Sequence, residues 1–319
     1  MLNSNIQNLF LPFFSASTSQ TYLKKCYQKQ KIEDADKKSY ENCYPFIYYL
    51  EHGQIYYQQA ESAPLMIQPI LLFYGFVHLI KACILTVDPN YPETTAVLAH
   101  GVSTRKRKKQ QYLFFQDEVK FQKNGLFPFM AQKMFHMKHF EGDKATMKEL
   151  LTQISEINTM FMTTEGMETF IPINQENNTF VLSKSILDHY HMTESHFINY
   201  WKSISSSHII IEERNNRDIR FKLHYANLEE LLPIKLNLNN NQLYFPLVKS
   251  RLNLFPELLI HYLLLYNLSM IARYETEWWS ELIKMMPNQD FPFIRSFLSS
   301  TSQKGPYIIN QFLVTKNKF

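Results

Sequence analysis

The sequence predicts a mainly α fold of the α+β class, a helical core carrying a small winged-helix-like or β-hairpin-containing insertion. Three observations predict it. Two long apolar segments with helical periodicity, from about Pro64 to Leu85 and from about Pro256 to Met286, stand far apart in the chain. Between them, from about Thr163 onward, β-forming residues alternate with asparagine-rich turns. A hydrophobic content of 45% in 319 residues supplies a substantial core. The expected division is an N-terminal helical domain over 1–162, an α/β insertion with β-hairpins over 163–246, and C-terminal helices over 247–319 that pack back on the first domain.

Each element has a local reason. Ser19 to Lys31 is polar and amphipathic, with Tyr22 and Cys26 recurring one turn apart. Ser39 through Gln59 places Tyr40, Cys43, Phe46, Ile47 and Leu50 at helical spacing. Ser62-Ala63-Pro64 opens the first apolar helix, with proline in its first turn. Asp88-Pro89-Asn90-Tyr91-Pro92 ends it. Thr94 to His100 forms a further helical turn stopped by Gly101, Tyr112 to Gln122 reads as extended, and Asn124-Gly125 is a turn. Phe127 to Phe140 is rich in aromatics and methionine, and Asp143 to Thr159 reads as one helix. Short helical patterns follow at Ser183 to Tyr190 and Thr193 to Ser203. Next comes a hairpin, His208 to Glu213 and Ile219 to Tyr225, turning at Asn215-Asn216. Leu236 to Pro246 is a second hairpin. After the second apolar helix come a short helix at Asp290 to Ser300 and a closing segment, Tyr307 to Val314.

Composition bounds the function. Only 7 glycines are present, and no P-loop or dinucleotide fingerprint occurs. Net charge is a mild +4, but Arg105, Lys106, Arg107, Lys108 and Lys109 are consecutive. The three cysteines form no C-x-x-C, which argues against a disulfide framework or a cysteine-based zinc site and fits a reducing cytoplasm. His136 and His139 have helical ligand spacing without an evident third ligand, so neither a metal nor a cofactor is assigned. No targeting segment is evident. The first apolar helix contains Gln68, Pro69, His78 and Lys81, and reads as a core helix, not a membrane span.

The candidate site is a polar stripe on each apolar helix. Tyr74, His78 and Lys81 share one side of the first. Tyr262, Tyr266, Ser269, Arg273 and Glu277 follow the same spacing on the second. Buried charge is costly unless paired or used. If the stripes meet, Lys81 and Arg273 are suited to phosphate or carboxylate groups, and Glu275 or Glu277 to balancing them or acting as a base. The same residues also read as a structural ion pair with tyrosines that fix helix register. His78 and His100 are the candidate acid/base groups. Arg105 and Arg107, next to His100-Gly101, form a candidate phosphate-gripping loop, and also read as a solvated basic loop. Finally, two short helices followed by a hairpin is the order of a winged helix. There His196, Asn199 and Lys202 share a side of the recognition helix, while Arg214, Arg217, Arg220 and Lys222 sit on the hairpin.

The stretch QPILLFYGFVHLIKACILTVDPNYPETTAVLAHGVSTRKRKKQQYLFFQDEVKFQKNGLFP resembles the YaaC-like family, as does LLIHYLLLYNLSMIARYETEWW near the C-terminus. The resemblance implies a cytoplasmic bacterial protein, often encoded beside IMP dehydrogenase. That neighbourhood points to purine nucleotide metabolism and supplies no catalytic residues. The leading expectation is a binding protein for a phosphate-bearing ligand, either RNA or a purine nucleotide, held by Tyr74, Lys81, Arg105, Arg107, Tyr266, Arg273 and Glu277. The alternatives are an enzyme acting on nucleic acid or nucleotide, and a regulatory, protein-interaction or DNA-binding protein working through the insertion.

Overall fold

The computed structural model describes residues 6–104, 112–138, 141–205, 208–214, 217–225 and 227–317. It is mainly helical with two antiparallel sheets. The chain forms two compact units, one from Met1–Lys148 with Leu258–Phe319, the other from Glu149–Glu257.

The first unit contains α1 (Ile6–Leu9), α2 (Ala16–Lys29), α3 (Ala35–Ser62) and α4 (Gln68–Leu85). After α4 come β1 (Val102–Ser103), β2 (Glu118–Phe121), α5 (Leu126–Phe135) and β3 (Lys144–Thr146), and the three strands pair in the order β1-β2-β3. Helix α3 is longer than its apolar periodicity predicts. It begins within the charged run at Ala35 and passes through Pro45.

Helices α3 and α4 lie against each other at glycines. A Cβ at Gly53 would stand 2.5 Å from Leu79 Cδ2, and one at Gly75 would stand 2.8 Å from the Tyr57 ring. Side chains on the adjoining faces are thereby brought within ring-contact distance. By length and composition α4 is apolar enough to cross a membrane, but two-thirds of that window is buried inside the protein.

The second unit begins at Glu149, earlier than the composition change near Thr163. The single helix expected over Asp143 to Thr159 is broken into β3, α6 (Met147–Leu151), a 3-10 turn at Ser155–Ile157 and α7 (Asn158–Glu165). Asn158 explains the last start: its side-chain oxygen accepts from the backbone N–H groups of Thr169 and Phe170, tying α7 to the strand that follows. Then come β4 (Phe170–Glu176), β5 (Thr179–Ser183), α8 (Ile186–Tyr190), α9 (Glu194–Ile204), β6 (His208–Arg214), β7 (Asp218–His224), β8 (Lys235–Asn237) and β9 (Gln242–Pro246).

These strands form one sheet in the order β6-β7-β5-β4-β9-β8. Alternation along β7 buries Ile219, Phe221 and Leu223 on one face, where Trp201 and Phe197 of α9 pack. On the other face Arg220 pairs with Glu176 and Lys222 pairs with Glu212 at 2.6 Å. Both expected hairpins form, and the two short helices precede the first, with β7 lying between β6 and β5. The turn at Asn215-Asn216 lies outside the described residues.

The second apolar segment is not one helix. It divides at Glu275 into α10 (Glu257–Tyr274) and α11 (Thr276–Met285). The break lets Trp279 bury its ring and donate its indole N–H to the Met66 carbonyl at 3.0 Å. Conversely, Asp290 to Val314 is not two segments. Helix α12 (Asp290–Asn317) runs through Gly305-Pro306, and Ile308, Ile309 and Leu313 bury their side chains beyond the proline. Tertiary burial here outweighs the breaker.

Candidate functional site

The aromatic and basic side chains of α3, α4 and α10, with those of the loop after α4, meet in the first unit. On α4, Tyr74, His78 and Lys81 share the side their spacing predicts, and all three are partly buried. Their principal neighbours come from α3. The His78 ring lies 5.6 Å from Tyr56 in a stacked arrangement, 5.3 Å from His52 edge-on and 6.1 Å from Tyr49. Lys81 Nζ stands 5.6 Å from the centroid of Tyr49. Tyr49, His52 and Tyr56 repeat at helical spacing in YYLEHGQIYYQ, so the signal was in the sequence. That signal is weaker than the one on α4 because α3 is the less apolar helix.

Helix α10 supplies the second stripe. Tyr262 and Ser269 are fully buried, and Tyr266 is nearly so. Arg273 Nη1 donates to Tyr74 Oη at 2.8 Å, and its Nε donates to the Ser269 carbonyl at 3.1 Å. Nη2 reaches Met270 Sδ at 3.1 Å. Of five guanidinium donors, those three contacts leave two for another partner. Glu277 does not join the cluster. The break at Glu275 puts it on α11, exposed to solvent.

His100 completes the group. Its ring lies 5.1 Å from Phe73 of α4, 5.5 Å from Tyr266 of α10 and 6.5 Å from Tyr74. Its carbonyl accepts from Tyr262 Oη at 2.8 Å and from the Phe127 N–H at 3.1 Å, which fixes the backbone there. Gly101 follows with a φ of +77°, and a Cβ at that position would stand 2.5 Å from the Pro128 ring. Arg105 and Arg107, in the loop that comes next, lie outside the described residues.

The electrostatics of the cluster are one-sided. Among the described residues no carboxylate pairs with Lys81 or Arg273. Burial, with the charges of Lys81 and His52 behind it, pushes the His78 imidazole down to about 4. Burial lowers His100 as well, followed by the charges of Arg273 and Lys81. Lys81 and Arg273, far apart in sequence, thus both contribute to lowering the His100 imidazole. Burial also lowers the Lys81 ammonium. His78 Nδ1 is buried without a hydrogen-bond partner. Lys81 and Arg273 are thus partly buried cations that have no carboxylate partner among the described residues and lie among imidazoles and phenols.

The second unit presents the opposite balance. Residues Glu149–Glu257 contain nine lysines and arginines against thirteen carboxylate side chains, a net of −4. The rest of the chain contains twenty-four against sixteen, a net of +8. His196, Asn199 and Lys202 are exposed together on α9, as their spacing predicts. Arg220 and Lys222 of the hairpin are occupied by Glu176 and Glu212. The chain's excess of positive charge thus lies in the first unit.

No protein of curated description and no solved structure matches the chain. The family model described as YaaC-like Protein matches residues 11–313, nearly the whole sequence, and the chain belongs to that family.

Proposed function

We propose that this protein binds a phosphate-bearing ligand, RNA or a purine nucleotide, at the cluster formed by Tyr74, Lys81, His100, Tyr266 and Arg273. The observation that carries the reading is the unpaired charge. Lys81 and Arg273 are both partly buried, both bear on His100, and neither has a carboxylate partner among the described residues. Partly burying cations without counter-charges is unfavourable unless an anion joins them. Phenol hydroxyls and the two remaining Arg273 donors supply hydrogen bonds to phosphate oxygens.

Thermal denaturation tests the reading. A ligand at one hundred times its dissociation constant stabilises the folded chain by about 2.7 kcal/mol. Purine nucleotides or short RNA are expected to raise the melting temperature. The rise should shrink with added salt and disappear in Lys81→Gln and Arg273→Met. A rise that both variants retain would remove this cluster from consideration.

One observation favours a second reading, an enzyme acting on nucleic acid or nucleotide. His78 and His100 are both displaced toward the neutral form that a general base requires. RNA turnover that survives His78→Ala and His100→Ala would exclude both residues from such a role.

A further inference from the structure

Helix α3 buries Ser39, Cys43, Phe46 and Leu50 along one side. The opposite side presents Tyr40, Tyr44 and Tyr48, which are 67%, 53% and 53% exposed. We propose that this face is a contact between two copies of the chain, which pair through α3 in the antiparallel sense about a two-fold axis at Tyr44.

The amount of apolar surface supports a contact. The Tyr44 and Tyr48 rings lie 6.1 Å apart and 33° from parallel, so the row is continuous. A tyrosine side chain offers about 200 Å² for burial, so the three leave roughly 350 Å² uncovered, within the ~300–600 Å² of the largest patches on monomers, which are often functional. Two such patches joined cover roughly 700 Å² from the six rings alone. The stems of the exposed Lys37, Glu41 and Glu51 bring the contact toward roughly 1,000 Å², the scale of a weak, reversible dimer.

The choice of a second copy rests on symmetry. Across a two-fold axis a face must complement itself: a residue some places before the axis meets the residue as many places after it on the other copy. Lys37 and Glu51 each stand two turns from Tyr44, on opposite sides, and Tyr40 and Tyr48 each stand one turn from it. At 3.6 residues per turn all five share a stripe about 80° wide. The axis sets Tyr44 on the partner's Tyr44, Tyr40 on the partner's Tyr48, and Lys37 on the partner's Glu51. The result is an aromatic centre closed at each end by an ion pair, an apolar core with a charged rim. Parallel pairing of the same face would set Lys37 on Lys37 and Glu51 on Glu51, so the charges select the antiparallel sense. A partner of unrelated sequence gives no reason for this inversion of charge about Tyr44.

The charges are available for the contact. Glu51 has no cation partner among the described residues. Lys37 pairs with Glu41 of its own helix at 4.0 Å, with both side chains mostly in water. Such a pair contributes little and is exchanged for the partner's Glu51 at little cost.

Sedimentation velocity of the full chain, from about 1 to about 300 µM, tests the proposal. A contact of this size predicts a dissociation constant of ~10–100 µM, so the wild type is expected to pass from monomer to dimer across that range. Tyr44→Glu sets two carboxylates on the axis and should leave the chain monomeric at the highest concentration. Lys37→Glu and Glu51→Lys should each weaken the dimer about 4- to 30-fold, because two attractive pairs become two repulsive ones. The two changes combined should return it to within about threefold of the wild type. These side chains are exposed, and circular dichroism checks that each variant is folded. A wild type that stays monomeric throughout overturns the proposal and leaves the tyrosine row to a different partner. A dimer that Tyr44→Glu leaves intact places the contact elsewhere and overturns it too. So does a combined variant no tighter than either single one.

Discussion

Replacing Lys81 by glutamine removes one charge from the cluster while keeping most of the side chain's bulk. Lys81 sits three residues beyond His78 on α4, a spacing that puts side chains about 6 Å apart. At that distance two unit charges interact by ~0.7 kcal/mol in water and ~2.8 kcal/mol at an effective dielectric of ~20. A pKa unit corresponds to about 1.4 kcal/mol, so the His78 imidazole should rise by ~0.5 to ~2 units. It should remain below its ordinary value, because burial is the largest cause of its displacement from 6.5 to about 4. His100 should rise in the same variant, since Lys81 also bears on it. Proton NMR of the imidazole Cε1–H signals across pH 3.5 to 8, with His78→Asn and His100→Asn to assign them, measures both. If a folded Lys81→Gln protein leaves both titrations where they were, Lys81 is not in the cluster and the charge argument fails.

Other outcomes follow from the same geometry. Below pH 6.5 the unfolded chain protonates His78 while the folded chain resists until about pH 4. Stability therefore falls as pH drops through that window, by at most ~1.4 kcal/mol per pH unit and less with solvent screening. Urea unfolding at pH 7 and pH 5 should show a smaller difference for His78→Asn than for the wild type, and an equal difference would reject the assignment. Gly75→Ala should destabilise by about 1–3 kcal/mol, because its Cβ would stand 2.8 Å from the Tyr57 ring and 2.9 Å from Tyr56 Cβ. A melting temperature lower by several degrees is expected, and an unchanged one would show that the helices yield freely. Charge removal at Arg217, Arg220 and Lys222 should leave any nucleic-acid retention unaltered, given the net −4 of that unit. A marked loss would move the contact to the winged segment.

Much of the fold could be read from periodicity, and the failures have identifiable causes. Helix α4 was legible because its apolar span opens at a proline and closes at Asp88-Pro89. Hairpin β6–β7 was legible because β7 alternates strictly. The break at Glu275 was not, because nothing in ARYETEWW interrupts helical spacing. It follows from burial of Trp279 and its bond to Met66, a partner remote in sequence. Projecting one helix across that break wrongly aligned Glu277 with Arg273. Continuity of α12 through Pro306 was hidden for the opposite reason, a strong local breaker overridden by packing.

At the site, each stripe was readable from i, i+4, i+7 spacing. What was not readable is that α4's closest neighbour is α3. Gly53 and Gly75 set that approach, and their meaning appears only when the two helices are seen together. Tyr49, His52 and Tyr56 consequently join the cluster from a helix to which the sequence reading assigns no site residue.

Lys81 and Arg273 are proposed to act on one bound anion. A double-mutant cycle for adenosine 5′-monophosphate binding, with Lys81→Gln, Arg273→Met and the double variant, tests it most directly. Shared contact with a single phosphate predicts a coupling of about 0.5–3 kcal/mol between the two substitutions. Losses that add to within ~0.5 kcal/mol would mean that the two cations serve separate places.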